Sequence, residues 1–516
     1  MFAKISKPFG WTAQALAFLS AALIIMNNAA AIQAQAPQTQ ASEPASPAEP
    51  SAAEAQPAPA PSSGAISLAV QSPAPSSPAP AAEPLVAPPP PPPPAAPPAI
   101  KPGLLIQTWG RTEDVPRVES TTGKVGDALD TRTNFYMRRI RFMISGQLSD
   151  MVNYFAETDS PNFGKYGDFT PSVFVQDAWM ELNPAPQFQL DVGMLLLPFS
   201  HQGMQGATSL NAIDYHSKLI RYPVGGKVWR DVGLMVRGLV FNNVLEYRLA
   251  LTSGIHKDRT LKDFSVAAKP ATDKTAAVDA YTYKYAVDPR NPDDWPRLTG
   301  RLTFNAFDAE GVPALAGFFY KGLYLKETPE GLISPKKILA IGASVDWQKG
   351  ANVTMKSAPT FAQKGTRRGI EEYKDYLGVN ADVFWDMPLT ADKTVATSGQ
   401  VAFYYYNHGD RKGSSYYDLI GNKDLYSGVG IASELGVRIQ AIEPLICLDW
   451  YNSSKTAEGK EKIGDYMAVY GGINYFMAAH AVTFKLEVGA QKEPWSGTKV
   501  ISKFAPFGTL QAQLLL

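Results

Sequence analysis

Charged residues recur at spacing two within apolar runs of this chain, a pattern that suits an ion-lined wall better than a catalytic centre. In NFYMRRIRFMISGQL, residues 134–148, Arg139 and Arg141 share one strand face with Ser145 and Gln147. Ile140, Phe142, Ile144 and Leu148 share the other. By the same alternation Arg248, Arg297, Arg301, Arg438 and Lys485 are expected to point inward, together with Glu157, Asp159, Asp191, Glu246, Asp346, Glu434 and Glu487. Such a wall can steer ions, or it can be a salt-bridged lining with no role toward a substrate, and both readings stand. Residues 196–231 collect His201, Asp214, His216, Lys218, Arg221, Lys227 and Arg230. Folded inward, that mixed set would narrow and polarise a channel as a constriction loop; the alternative is an ordinary exposed loop.

Signals for catalysis or cofactors are weak. The five histidines, His201, His216, His256, His408 and His480, show no i, i+4 pair of a zinc helix. Neither a nucleophile elbow nor a phosphate loop is present. Asp288, Asn291, Asp293 and Asp294 could offer oxygens to calcium, but Pro289 and Pro292 interrupt them and a solvated loop is the expectation. The one cysteine, Cys447, cannot form an internal disulfide and is expected to be a small wall residue. No enzymatic activity, cofactor or metal is expected. With 48 basic and 48 acidic residues, no net field recruits nucleic acid.

These wall residues need elements that position them, and the N-terminal hundred residues supply none. Lys4 and Lys7 precede the apolar run of residues 15–25 and a small-residue stretch to Ala36, the order of a secretory signal. As a helix that run spans only about 16 Å, short of the roughly 30 Å a membrane helix must cross. Residues 1–36 are therefore read as a signal peptide. Residues 37–100 hold 21 of the 42 prolines and read as a disordered Pro/Ala-rich linker, extended in the periplasm. The linker is either a plain spacer or a tether reaching the cell wall.

From Asn134 onward the hydrophobic period is two. QFQLDVGM, NVLEYRLALT, PRLTGRLTFN and AVTFKLEVGA all alternate, and several runs reach nine residues or more, long enough to cross a bilayer when tilted. Short turns are expected at Ser149-Asp150, at 183–186, Asn242-Asn243, 308–311, 441–444 and Ala478-Ala479. Long connections at 196–231 and 254–295 fall between them. One short side and one long side predict a closed antiparallel transmembrane β-barrel of 16–18 strands over residues 101–516, all-β, with long external loops in the outer membrane. Trp179, Tyr247, Trp347, Trp385, Tyr405, Trp450 and Tyr475 are candidates for interfacial girdles.

The chain also resembles a known family. Arg138, Arg139, Arg141 and Gly146, then Asp177 and Ala178, then Val192, Gly193, Pro198, Phe199 and Ser200, then Arg230, Gly233 and Leu234 follow the motif order of the phosphate-selective porin O/P family of Gram-negative outer membranes. The likeness spans residues 135–239. It implies a 16-stranded, usually trimeric pore in contact with outer-membrane lipid, permeated by small anions or phosphate. One departure is the C-terminus, where Leu516 stands in place of the usual aromatic residue. Because inward acids accompany the inward arginines, the expected function is diffusion of ions and small solutes with weak-to-moderate anion preference. The alternative is a structural barrel anchoring a proline-rich periplasmic tether.

Overall fold

The computed structural model describes residues 99–118, 125–170, 172–216, 219, 229–254, 261–266, 281–286, 295–310, 320–329, 331–354, 372–407, 427–453, 465–492, 494–495, 499–500 and 504–516. The chain divides into two units, Met1–Ala95 and Ala96–Leu516, and every described residue belongs to the second. The expected signal peptide thus lies outside the described residues. So does the expected linker, apart from Ala99 and Ile100, which open the first strand.

Period-two alternation becomes strand after strand. The first seven are β1 (Ala99–Val118), β2 (Val125–Ser149), β3 (Val152–Asp159), β4 (Phe174–Ala185), β5 (Phe188–Leu196), β6 (Arg230–Val240) and β7 (Leu245–Thr252). A small pair, β8 (Leu261–Val266) and β9 (Tyr281–Ala286), precedes β10 (Arg297–Asn305). Another pair, β11 (Lys326–Thr328) and β12 (Gly331–Ile333), precedes β13 (Ile338–Thr354). Then come β14 (Glu372–Pro388), β15 (Val395–Asn407), β16 (Gly428–Ile439), β17 (Ile442–Ser453), β18 (Tyr466–Ala478) and β19 (Val482–Lys492). A third pair, β20 (Pro494–Trp495) and β21 (Lys499–Val500), leads to β22 (Ala505–Leu515).

Sixteen of these strands form one closed antiparallel barrel in the order β1 to β7, β10, β13 to β19 and β22. The seam pairs β1 with β22, from Leu105 opposite Leu515 to Glu113 opposite Phe507. Closure leaves no unpaired edge to lipid. The expected 16–18 strands resolve to sixteen. Facing follows the alternation: Phe142, Leu249 and Leu302 are 62%, 58% and 55% exposed on the outer surface, whereas Arg141, Arg248 and Arg301 are buried on the inner one. Trp179 departs from the girdle expectation. It is buried against Phe155, Leu195 and Met235, because its parity on β4 places it with Asp177 and Glu181 on the inner face.

Two glycines of the family-like segment are fixed by close backbone approach. Gly193 of β5 lies directly opposite Gly233 of β6. A Cβ on Gly193 would collide with the Ala178 carbonyl oxygen, and one on Gly233 with that of Leu251. Gly193 also has φ of 133°, a conformation that excludes other residues.

One end of the barrel carries the short turns: between β2 and β3, β4 and β5, β6 and β7, β14 and β15, β16 and β17, and β18 and β19. In the turn between β6 and β7, Phe241, Asn242 and Asn243 all have positive φ, which suits the two asparagines. The short turn expected at 308–311 is overturned. There the connection runs from β10 at Asn305 to β13 at Ile338, long and on the short-turn end. Among its described residues, none belongs to a lipid-facing strand of the barrel. Tyr320 and Leu323 are fully buried inside, and Leu323 packs with Leu332 and Phe476 of β18. Alternation could not separate a strand from a segment whose apolar side chains plug the interior.

Candidate functional site

The interior is lined by ion pairs, and each inward cation expected from sequence is placed on the inner wall. Arg141 of β2 donates to Glu157 at 3.0 Å and Asp159 at 3.1 Å, both on β3. Arg248 pairs with Glu246 two residues earlier on the same face of β7 and lies 4.8 Å from the Tyr320 ring centroid. Arg297 of β10 donates to Asp346 of β13 at 2.8 Å. Arg301 of β10 donates to both oxygens of Asp382 on β14, at 2.6 and 2.9 Å. Arg438 of β16 bridges Asp386 of β14 at 2.8 Å and Glu443 of β17 at 2.9 Å. Among the described residues no carboxylate lies at this range from Lys485 of β19; its ammonium donates to the carbonyls of Leu210, Asn211 and Ala212 at 2.5, 3.3 and 3.3 Å.

Residues 197–229 join β5 to β6, and their described part crosses this interior. A single helical turn, His201–Met204, is capped by the Ser200 hydroxyl, which accepts from the Gly203 amide at 3.0 Å. His201 is sandwiched between Phe384 of β14 and Tyr320, with ring centroids 4.0 and 4.5 Å away. Its Nε2 is 2.5 Å from Glu310, so segments from opposite ends of the barrel meet here. Further along, Phe199, Tyr215 and Leu219 pack on an inner wall of tyrosines that includes Tyr376, Tyr404, Tyr406 and Tyr451.

His216 closes the crossing. Its Nδ1 lies 2.5 Å from Asp449 of β17, and its Nε2 lies 3.7 Å from Glu434 of β16. Burial alone would lower the imidazole pKa; Asp449 and then Glu434 outweigh it and raise it to about 9. Asp214 receives two guanidiniums, Arg138 at 3.0 Å and Arg139 at 2.5 Å. Burial alone would raise its pKa, but Arg138 and Arg139 hold it well below the usual carboxylate range. Arg230, at the start of β6, donates to both oxygens of Asp177 at 2.6 and 2.8 Å.

Lys218, Arg221 and Lys227, like the acidic stretch 288–294, lie outside the described residues. Alternation overlooked several interior charges that it had the means to find. Arg237 in MVRGLV pairs with Asp191 at 2.7 Å and with Glu181, and Asp382 and Asp386 share one face of β14. Glu310 and Arg138 carried no such signal, the first lying in a connection and the second at an irregularity of β2. Cys447 is a buried inner-face residue, as expected. Among the described residues, no group of three His, Cys, Asp or Glu is arranged to hold a metal ion.

Residues 114–289 match the family described as phosphate-selective porin O and P. Among solved structures, the chain is similar to the outer membrane channel DcaP of Acinetobacter baumannii, at 11% identity and TM-score 0.43, over 81% of this chain and 98% of that one. It is also similar to an anion-selective porin from Comamonas acidovorans, at 8% identity and TM-score 0.46, over 81% and 100%. A third is OmpF of Salmonella typhi in complex with daunomycin, at 8% identity and TM-score 0.44, over 81% and 97%. No curated protein matches the sequence.

Proposed function

We infer, from the match of residues 114–289 to the phosphate-selective porin O and P family and from the closed sixteen-stranded barrel, that this chain is an outer-membrane channel for ions and small solutes. The lipid-facing apolar surface and charged interior support the membrane setting. The short-turn end is taken to face the periplasm, residues 37–100 are taken as a periplasmic linker, and the working unit is a homotrimer.

The observation that carries the selectivity is the pairing of the guanidiniums. A tight phosphate filter needs cations whose field is uncompensated. Here Arg141, Arg297, Arg301 and Arg438 each face carboxylates within 3.1 Å, and opposite charges so close largely cancel at the pore axis. A local surplus remains where Arg138 and Arg139 share one acid. Acids outnumber cations at Arg141 and Arg438, which sets a limit on that surplus; the reading is a weak-to-moderate anion preference at most and no tight phosphate site. Neutralising Arg139 and Arg141 together lowers anion permeability more than removing either alone.

Planar-bilayer recording of the purified full chain tests this. Stepwise openings with a reversal potential in asymmetric KCl slightly on the chloride side support the reading. Micromolar phosphate block or strong potassium preference overturns the selectivity. The interior is filled so closely that Gln107, Asp191 and Asp346 have no exposed surface, which favours a narrow pore and gives the anchoring alternative its one support. Electrical silence of well-folded protein would favour that alternative.

A further inference from the structure

The connection from β10 to β13 starts and ends as a closed stem. The Ala306 amide donates to the Leu339 carbonyl and that of Asp308 to the Lys337 carbonyl, both at 2.9 Å, so the strand pairing continues past Asn305. Lys336 Nζ clasps the stem by donating to the carbonyls of Ala309 and Glu310, each at 3.0 Å. Arg438 ties it to the wall through the Ser334 hydroxyl, and the Ser334 amide donates to the Lys393 carbonyl at 3.0 Å. From this fixed base residues 320–325 reach into the lumen as a tip.

The tip meets the segment that crosses from the opposite end. The Tyr320 amide donates to the Met204 carbonyl and the Gly206 amide to the Tyr320 carbonyl, each at 3.2 Å, a parallel bridge between two loops. The Tyr320 hydroxyl accepts from Arg301 Nε at 3.2 Å. Its ring packs with Leu195, Met204, Met235 and Ala250, none of which keeps any exposed surface. The tip thus seals the space between the crossing segment and the wall from β5 to β7. Gly322 permits the close fit: its φ is 79°, and a Cβ there would collide with the Gln205 side-chain amide and the Ser209 carbonyl.

Electrostatics separates the two segments by what each would lose in moving. The crossing segment carries Asp214 under Arg138 and Arg139, carries His216 beside Asp449, and receives the Lys485 ammonium. Moving it would strand buried charges. Among the described residues, the tip takes part in no ion pair. When it leaves, Arg248 keeps Glu246 and Arg301 keeps Asp382. We propose that residues 320–325 form a retractable plug, seated on the crossing segment at Gly322, and that withdrawal of Tyr320 toward the short-turn end opens the pore. The stem, zipped from Ala306 to Leu339, stays in place as its base. The effect on current rests on the channel reading; the movement itself does not.

Thiol labelling and bilayer recording of the detergent-purified full chain test this together. Leu323 is fully buried in the tip, so a maleimide reaches Leu323→Cys only on withdrawal. Adding Gly322→Val, which pushes the tip off Gln205, should speed that labelling at least fivefold and raise the open probability at least threefold. The native Cys447 is buried in the cluster on which the crossing segment packs and should stay unlabelled. Labelling of Cys447 as fast as Leu323→Cys would mean that the crossing segment moves instead, and overturns the plug. Gln205→Cys with Tyr320→Cys places thiols on the two bridge partners. Their disulfide should hold the tip in and cut conductance at least threefold relative to the same protein after dithiothreitol. Failure of the disulfide to form, or equal non-zero conductance in both redox states, also overturns the plug. Should Gly322→Val not assemble, the disulfide pair decides alone. Tip labelling in protein silent in bilayers would sink the channel reading and leave the movement standing. Conducting protein whose tip never labels would do the reverse.

Discussion

Arg301 of β10 reaches Asp382 of β14 across the whole width of β13, making hydrogen bonds of 2.6 and 2.9 Å. The strand between them permits this through Gly342, where a Cβ would collide with Arg301 Nη2. Gly342→Val should break the bridge and leave two buried charges apart, at a cost of about 3–5 kcal/mol. Heat-modifiability on gels reads the loss as a lower midpoint for the folded band. An unchanged midpoint would mean that the bridge contributes nothing. Replacing both partners, Arg301→Met with Asp382→Leu, should be milder than Arg301→Met alone.

Facing is tested from the outside. Phe142 is 62% exposed on the apolar surface, and Phe484 occupies the outward parity of β19. An arginine at either position near the bilayer midplane should cost about 2–4 kcal/mol. Urea titration of refolding into lipid vesicles measures it. Parent-like folding of both Phe142→Arg and Phe484→Arg would contradict the barrel facing.

Arg141 is outnumbered by its partners, since Glu157 and Asp159 both lie within 3.1 Å. Arg141→Gln should leave the two acids without their guanidinium and shift the reversal potential in asymmetric KCl toward potassium. The opposite shift is expected of Asp214→Asn, which releases Arg138 and Arg139. Shifts of the same sign in both variants would refute the pairing account.

His216 gives the crossing segment a pH dependence. It is faced by Asp449 of β17, Glu434 of β16, Tyr470 of β18 and, farther off, Glu487 of β19. Its pKa rises from an ordinary 6.5 to about 9 on folding, so the bound proton stabilises the folded state. That contribution is complete below about 6.5 and is lost as pH climbs through about 9. The folded-band midpoint of the parent should exceed that of His216→Gln at pH 6, and the gap should close toward pH 10. A gap of constant size would rule out this proton.

Lys485 anchors the same segment by donating to three successive carbonyls, Leu210 to Ala212. Lys485→Met removes those donors while keeping much of the apolar stem. The expected result is noisier, larger single-channel openings as the segment loosens. Openings identical to the parent's would place its hold elsewhere.

Period-two alternation is local, and what depends on it was legible from sequence alone: the all-β barrel, the strand number to within two, and the inward parity of Arg139, Arg141, Arg248, Arg297, Arg301, Arg438 and Lys485. Only the tertiary structure decided which charge meets which. Arg301 finds Asp382 through register and a glycine gap two strands away, and neither is written near Arg301. The bulge at Arg138 inverts parity from its own position, so a rule that counts odd and even residues fails there. Leu323 and Leu332, in the connection after β10, spend their apolar surface on the interior, because an apolar side chain gains as much against Phe476 inside the barrel as against lipid outside. Composition fixed how many charges the wall carries; the pairing that sets the field along the pore arises only when distant strands close into one ring.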